Sequence, residues 1–93
     1  MEHKLKCWPT YYQSIKEGTK TFELRRNDRD FKVGDTLYLQ EWSPTFNEYT
    51  TREQICRVTY ILPHLPTAGC AATFGLNDGF VIMSIIKEKD VSI

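Results

Sequence analysis

Net charge is the first thing this sequence lacks: twelve lysines and arginines balance twelve aspartates and glutamates. A protein that coats nucleic acid by bulk charge needs a surplus of cations to displace counterions, so that class is excluded. A local basic patch, or recognition of one nucleotide or a short single strand, stays open. No run of like charges forms a tail. Cysteine is scarce. Cys7, Cys56 and Cys70 make an odd number, and no two have C-x-x-C spacing. That argues against a disulfide framework and against a zinc site, and the expectation is reduced, buried thiols. Nothing in the sequence calls for a metal or a cofactor. Long hydrophobic runs are absent too. The longest, Phe80 to Ile86, is interrupted by Ser84 and is too short to span a membrane. No apolar run near Met1 resembles a signal peptide. The expectation is a soluble, cytoplasmic protein with no internal repeat, linker or low-complexity segment.

What is there suffices for one core. The chain has 93 residues, 41% apolar and 13% aromatic, and residues 1–93 read as a single domain. His3 to Cys7 alternates as a short first strand. Trp8-Pro9-Thr10 opens a helix with Pro9 in the first turn, Tyr12 and Ile15 one turn apart, and Gly18 as the stop. Lys20 to Arg26 is a strand with Phe22 and Leu24 on one face and Thr21, Glu23 and Arg25 on the other. Asn27 to Asp30 and Val33-Gly34-Asp35 are turns, Gly34 supplying a positive φ. Thr36 to Trp42 and Gln54 to Leu62 form a hairpin around a loop from Ser43 to Thr51. A long Pro- and Gly-bearing loop, Pro63 to Gly79, precedes the last strand, Phe80 to Ile86. That strand is apolar on both faces and reads as central and fully buried. Lys87 to Ile93 reads as a frayed tail. Phe22, Tyr60 and Phe80 are core by pattern. The sum is an α+β domain, a small β-barrel with one N-terminal helix and a long loop before the last strand.

Gly18-Thr19-Lys20-Thr21-Phe22-Glu23-Leu24-Arg25 resembles the G-x-K-x-x-E-x-R signature of the ASCH superfamily, which is PUA-like. Further blocks resemble a bacterial and phage subgroup of uncharacterised domains within it. They include His3-x-Leu5-Lys6, Pro9-x-Tyr11-Tyr12, Asp28-Arg29-x-Phe31-x-Val33-Gly34-Asp35 and Leu37-x-Leu39-x-Glu41. Tyr49-Thr50-x-Arg52, Tyr60-Ile61 and Gly79 to Ile85 complete the set. The resemblance implies a PUA-like, ASCH-type barrel with a cleft beside the helix, into which Lys20, Glu23 and Arg25 project. It also implies RNA binding or nucleotide-related chemistry. Two departures stand out. Thr51 occupies a place that is usually Gly in the subgroup, which disfavours a positive φ and predicts a differently shaped hairpin tip. Some members of the superfamily are small amidohydrolases with a Lys-x-x-Thr site and a distant carboxylate. Here Glu23 stands at the Thr position.

The candidate site follows from both readings. Arg25 would hold a phosphate or a base edge with its planar fork. Glu23, two residues away on the same face, would orient it or accept from an exocyclic amine. The bland alternative is a structural ion pair. Lys20 is a phosphate contact, a lysine base or a solvated strand end, with Thr21 beside it. Trp8, Trp42, Phe46, Tyr49 and Phe74 could stack on bases, Trp8 at a strand–helix junction and Tyr49 in a loop being the better placed. Lys6 and Arg52, with Lys4 and Arg57, could supply a basic rim. A Cys7–His3 nucleophile pair lacks a third orienting group, and His64 reads as a loop histidine. The leading expectation is a non-catalytic module for RNA or a modified nucleoside, bound through Lys20, Thr21, Glu23, Arg25, Lys6, Trp8, Tyr49 and Arg52. Two alternatives remain. One is a small amidohydrolase acting on an acylated nucleoside with Lys20 and Glu23 as catalytic residues. The other is a protein-interaction module of a mobile element that docks a protein partner through the Pro63–Gly79 loop.

Overall fold

The computed structural model describes residues 1–63, 75–77 and 79–92. Along the chain run β1 (Glu2–Cys7), α1 (Pro9–Glu17), β2 (Phe22–Arg26), β3 (Thr36–Ser43), β4 (Glu48–Leu62) and β5 (Phe80–Ser92). The strands make one sheet in the order β1-β3-β4-β5-β2. β1 pairs with β3 in parallel and every other pair is antiparallel. The sheet curls into a half-barrel, leaving β1 and β2 as its two edges. Side chains tie these edges together. Arg25 Nη2 donates to the Lys6 carbonyl at 2.7 Å, and Arg29 Nη1 to the Lys4 carbonyl at 2.9 Å. Exposed strand edges invite pairing with other chains, and two arginines engaged on β1 make that less available.

Strict alternation fills the concave side. His3, Leu5 and Cys7 of β1 point inward, as do Leu37, Leu39 and Glu41 of β3. Gln54, Cys56 and Val58 of β4 and Val81, Met83 and Ile85 of β5 complete the lining. Tyr12 and Ile15, one turn apart on α1, close the core from above. Nine residues are too few for a helix to stand unaided, so α1 depends on this contact and on its ends. Trp8 at the N-cap is extended (φ −70°, ψ 149°) and Pro9 begins the helix. Gly18 takes φ 85° and donates its N–H to Ile15 O at 3.1 Å, while Thr19 donates to Ser14 O at 3.0 Å. This left-handed stop favours a residue without a Cβ. Among the described residues no helix is long and apolar enough to cross a membrane.

Near the start of β1 the interior is closed by a polar knot. Asp35 accepts from His3 Nε2 at 2.8 Å and from the Lys32 N–H at 3.0 Å, and the Met1 amino group lies 3.4 Å away. Phe31 meets the His3 ring edge-on, centroids 4.7 Å apart. Gly34, with φ 95°, makes the turn that delivers Asp35.

Several expectations need correction. Lys87 onward is not a frayed tail, because β5 runs to Ser92 against β4, which itself begins at Glu48. The hairpin loop is correspondingly shorter than expected from the sequence. β5 is interior to the sheet yet not buried on both faces, since Ser84 and Ile86 are exposed. Tyr60 is not core: it is 56% exposed. Pairing passes from Val58–Ile85 to Tyr60–Ser84, so Thr59 is an extra residue on β4. That bulge flips the alternation, and Ile61 packs against the core instead. Phe80 is half-buried, with the Arg26 guanidinium 4.8 Å from its ring centre. Phe22 also turns outward, for a reason that belongs to the site. Thr51 adopts φ 72° despite its branched side chain, so the hairpin keeps the backbone shape a glycine would allow.

Candidate functional site

β2 decides the site. Its period of two puts Phe22 and Leu24 on one face, which hydrophobicity alone assigns to the core. The reverse holds. Glu23 is the residue that turns inward and is only 4% exposed, while Phe22 is 47% exposed and Leu24 also stands in the open. A buried carboxylate is costly unless it is paired and hydrogen-bonded, and Glu23 is both. Lys20 Nζ donates to its Oε1 at 2.7 Å and Arg25 Nε to its Oε2 at 2.9 Å. The partners are supplied by the same short segment, so β2 can invert its polarity without leaving a charge unmet. Lys20 Nζ also donates to the Phe22 carbonyl at 2.7 Å.

The consequence is a cleft of about 520 Å³ between β2 and the end of β1 with the start of α1. Its walls carry aromatic and aliphatic surface: Trp8 (53% exposed), Tyr11 (55%), Phe22 and Leu24. Cations stand around them. Lys6, Lys20 and Arg25 all line the cleft, with Glu23 between Lys20 and Arg25. Lys20 Nζ lies 4.9 Å from the Phe22 ring centre and 5.8 Å from that of Tyr11, within cation–π range. Lys6 Nζ sits 4.1 Å above Trp42. Arg25 uses Nε on Glu23 and Nη2 on the Lys6 carbonyl. Its Nη1 has no acceptor among the described residues.

Cys7 also borders the cleft, yet only 3% of it is exposed. Burial, reinforced by the Glu23 carboxylate, pushes its thiol up to about 11. Burial pushes Cys56 up to about 12. Both are thiols at neutral pH and poor nucleophiles. Cys7 Sγ points to the Trp8 carbonyl and His3 is held by Asp35, so the two make no dyad. Among the described residues no three His, Cys, Asp or Glu side chains gather as metal ligands.

Of the residues singled out from the sequence, Lys6, Trp8, Lys20, Glu23 and Arg25 meet around this cleft. Thr21 is exposed beside it. Tyr49 and Arg52 do not line it. Tyr49 is exposed on the hairpin opposite Trp42. Arg52 lies 4.7 Å from the centre of the Tyr12 ring and 3.6 Å from buried Glu41, which also accepts from Thr50 Oγ1 at 2.7 Å. Gln54 belongs to this second polar group, its Nε2 donating to Tyr12 O–H at 3.2 Å while its Oε1 is buried without a partner among the described residues. Sequence reasoning missed Tyr11, Phe22 and Leu24 as cleft residues. Tyr11 was within reach, being three positions from Trp8 and off the Tyr12–Ile15 face. Of the Pro63–Gly79 loop, residues 64–74 and 78 lie outside the described residues, and with them His64, Cys70 and Phe74.

Comparison with known proteins finds a family and a relative. A family described as a domain of unknown function (DUF3850) matches residues 2–85. An uncharacterised 12.9 kDa protein encoded in the 3′ region of GpA in Escherichia phage P2 is 37% identical over 57 residues. That match covers 61% of this chain and 50% of the phage protein, so the chain spans about half the length of the curated relative it matches.

Proposed function

The chain belongs to the DUF3850 family, and from the cleft between β1, α1 and β2 we propose that it is a binding module for a nucleotide or a short single strand of RNA. One observation carries this reading: Trp8, Tyr11, Phe22 and Leu24 are exposed around a single cleft that Lys6, Lys20 and Arg25 also line. A nucleotide asks for that combination, flat apolar surface for the base and cations for the phosphate. Stacking on an aromatic ring contributes about 1–3 kcal/mol per base. The volume lies within the usual range for small-ligand sites. With net charge zero, attraction would come from the local cations, which favours one or a few nucleotides over a long duplex.

The roles divide by chemistry. Trp8 and Tyr11 flank the base. Lys6 and Lys20 neutralise phosphate. Glu23 fixes Lys20 and Arg25, and Arg25 Nη1 remains as a donor for a base edge or phosphate. A PUA-like, ASCH-type fold goes with this reading, supported by Lys20, Glu23 and Arg25 of the signature meeting at the cleft beside α1. Arg25 makes a poor probe, because removing it also releases the Lys6 carbonyl. Trp8→Ala is cleaner. The test is a titration of labelled single-stranded RNA, single-stranded DNA and duplexes by fluorescence anisotropy at near-physiological salt. Saturable RNA binding, weakened at least fivefold by Trp8→Ala, is expected. No binding to any polymer or free nucleotide would remove the reading.

A second reading is hydrolysis of an acylated nucleoside. It is favoured by the 2.7 Å contact between Lys20 Nζ and Glu23 Oε1 at the cleft, a pair able to pass a proton. Turnover of a panel of acylated cytidines that disappears in Lys20→Ala would support it. Equal rates in both proteins would sink it.

A further inference from the structure

Phe22 belongs to two surfaces. It walls the cleft, and it also stands on the convex face of the sheet, where β2, β5 and β4 lie side by side. Register fixes its neighbours there. Phe22 pairs with Ser84, which pairs with Tyr60, and Leu24 pairs with Ile82, which pairs with Leu62. Val81, Met83 and Ile85 point to the core, so Ile82 and Ser84 share the convex face with Phe22 and Leu24. The bulge at Thr59 turns Tyr60 to the same side. Apolar side chains therefore extend from the cleft over β2 toward Tyr60, with Ser84, small and exposed, between Phe22 and Tyr60. Strand spacing puts the backbones of Phe22 and Tyr60 roughly 10 Å apart, room for a second flat group beyond the one in the cleft.

The charges around this strip suit a phosphate backbone. Lys20 stands at its cleft end and Arg26 rides over Phe80 at its edge. Of the carboxylates near the strip, Glu88 is held by Arg57 at 3.3 Å, and Asp30, which shares a second pocket with Tyr60, by Lys32 at 3.3 Å. Phe22, Leu24 and Tyr60 are each about half exposed, and clustered exposed apolar groups mark interaction surfaces. One mode of peptide binding, strand addition, relies on backbone pairing at a free strand edge. This strip is a sheet face, with side chains rather than edge donors on offer, which suits stacking.

We infer that the ligand of the cleft is a strand rather than a mononucleotide, and that its next base crosses β2 to stack on Tyr60 while Arg26 meets the phosphate between. The inference rests on the nucleotide reading of the cleft and names the length of ligand it takes. The test is a titration of uridine mono-, tri- and hexanucleotides against the wild-type protein, Tyr60→Ala, Tyr60→Phe and Trp8→Ala, with circular dichroism to confirm folding. For the wild type, the Kd is expected to fall at least tenfold from one to three nucleotides. Tyr60→Ala should reduce that gain to under threefold and leave mononucleotide affinity within twofold. Tyr60→Phe, which keeps the ring, should retain the gain. Trp8→Ala should weaken every length. Equal affinity for one and six nucleotides, or a hexanucleotide bound by Tyr60→Ala as tightly as by wild type, overturns the second subsite and leaves the cleft intact. A wild-type dimer that Tyr60→Ala dissolves, with no length gain, also overturns it and assigns the strip to self-association. Absence of binding at every length overturns the cleft reading, and this inference with it.

Discussion

Two buried carboxylates, Asp35 and Glu23, sit toward opposite ends of β1 and serve different ends. Both are almost without exposure, at 5% and 4%. Asp35 is met by the His3 ring, the Lys32 N–H and the Met1 amino group, with Phe31 packed against the His3 ring. Asp35 does not line the cleft. Among the described residues Glu23 is met only by the long side chains of Lys20 and Arg25, whose 16% and 27% exposure carries their remaining donors to the surface of a cleft. A carboxylate bound by backbone and ring plugs the interior. One bound by two flexible cations holds those cations in place for something else.

The largest expected effect tests that contrast. Asp35→Ala leaves His3 and the Lys32 N–H without their acceptor and should cost about 3 kcal/mol, read by urea unfolding. Ligand affinity per folded molecule should stay within twofold. Glu23→Gln should cost less, about 1–2 kcal/mol, because Lys20 and Arg25 can turn to water, while weakening the ligand at least tenfold. Equal loss of binding in both variants would break the comparison. Acid sharpens it further. Burial alone would raise the Asp35 carboxyl. The hydrogen bond from His3, with the Lys32 N–H and the Met1 amino group, outweighs burial and holds it below the usual carboxylate range. Unfolding then takes up a proton at Asp35. Its contribution is fully present above about pH 4 and is lost as pH falls through the lower folded value. Wild-type stability should therefore drop more steeply below about pH 4 than that of Asp35→Asn.

A smaller effect is expected at the seam between β1 and β2. Arg29→Ala removes one charged donor from the Lys4 carbonyl and should cost about 1 kcal/mol, with cleft affinity changed less than threefold. A larger loss of affinity would mean that the seam, and not Glu23 alone, sets the cleft. The smallest lies away from both carboxylates. Thr51→Gly relieves a branched residue at φ 72°. The gain of roughly 1–2 kcal/mol is partly offset by glycine's freedom in the unfolded chain. A net stabilisation of about 0.5 kcal/mol in the urea midpoint, with binding unchanged, is expected.

Local sequence patterns mark the helix and most of the strand positions. Pro9 and Gly18 bracket α1, Tyr12 and Ile15 mark its inner side, and Gly34 marks the turn before β3, all through local backbone chemistry. The signature residues Lys20, Glu23 and Arg25 were legible together because they lie within six positions. Which face of β2 points inward was not legible. A period of two says which residues share a face and never which face is core, and hydrophobicity gave the wrong answer because two neighbouring cations make Glu23 the cheaper residue to bury. Tyr60 was misread for a related reason: one extra residue in β4 reverses every side chain after it, and only the pairing with β5 reveals it. Tertiary structure also separated Tyr49 and Arg52 from the cleft and brought Tyr11 into it. Those choices depend on how a sheet curls and where its two edges meet, and no local pattern encodes that distance.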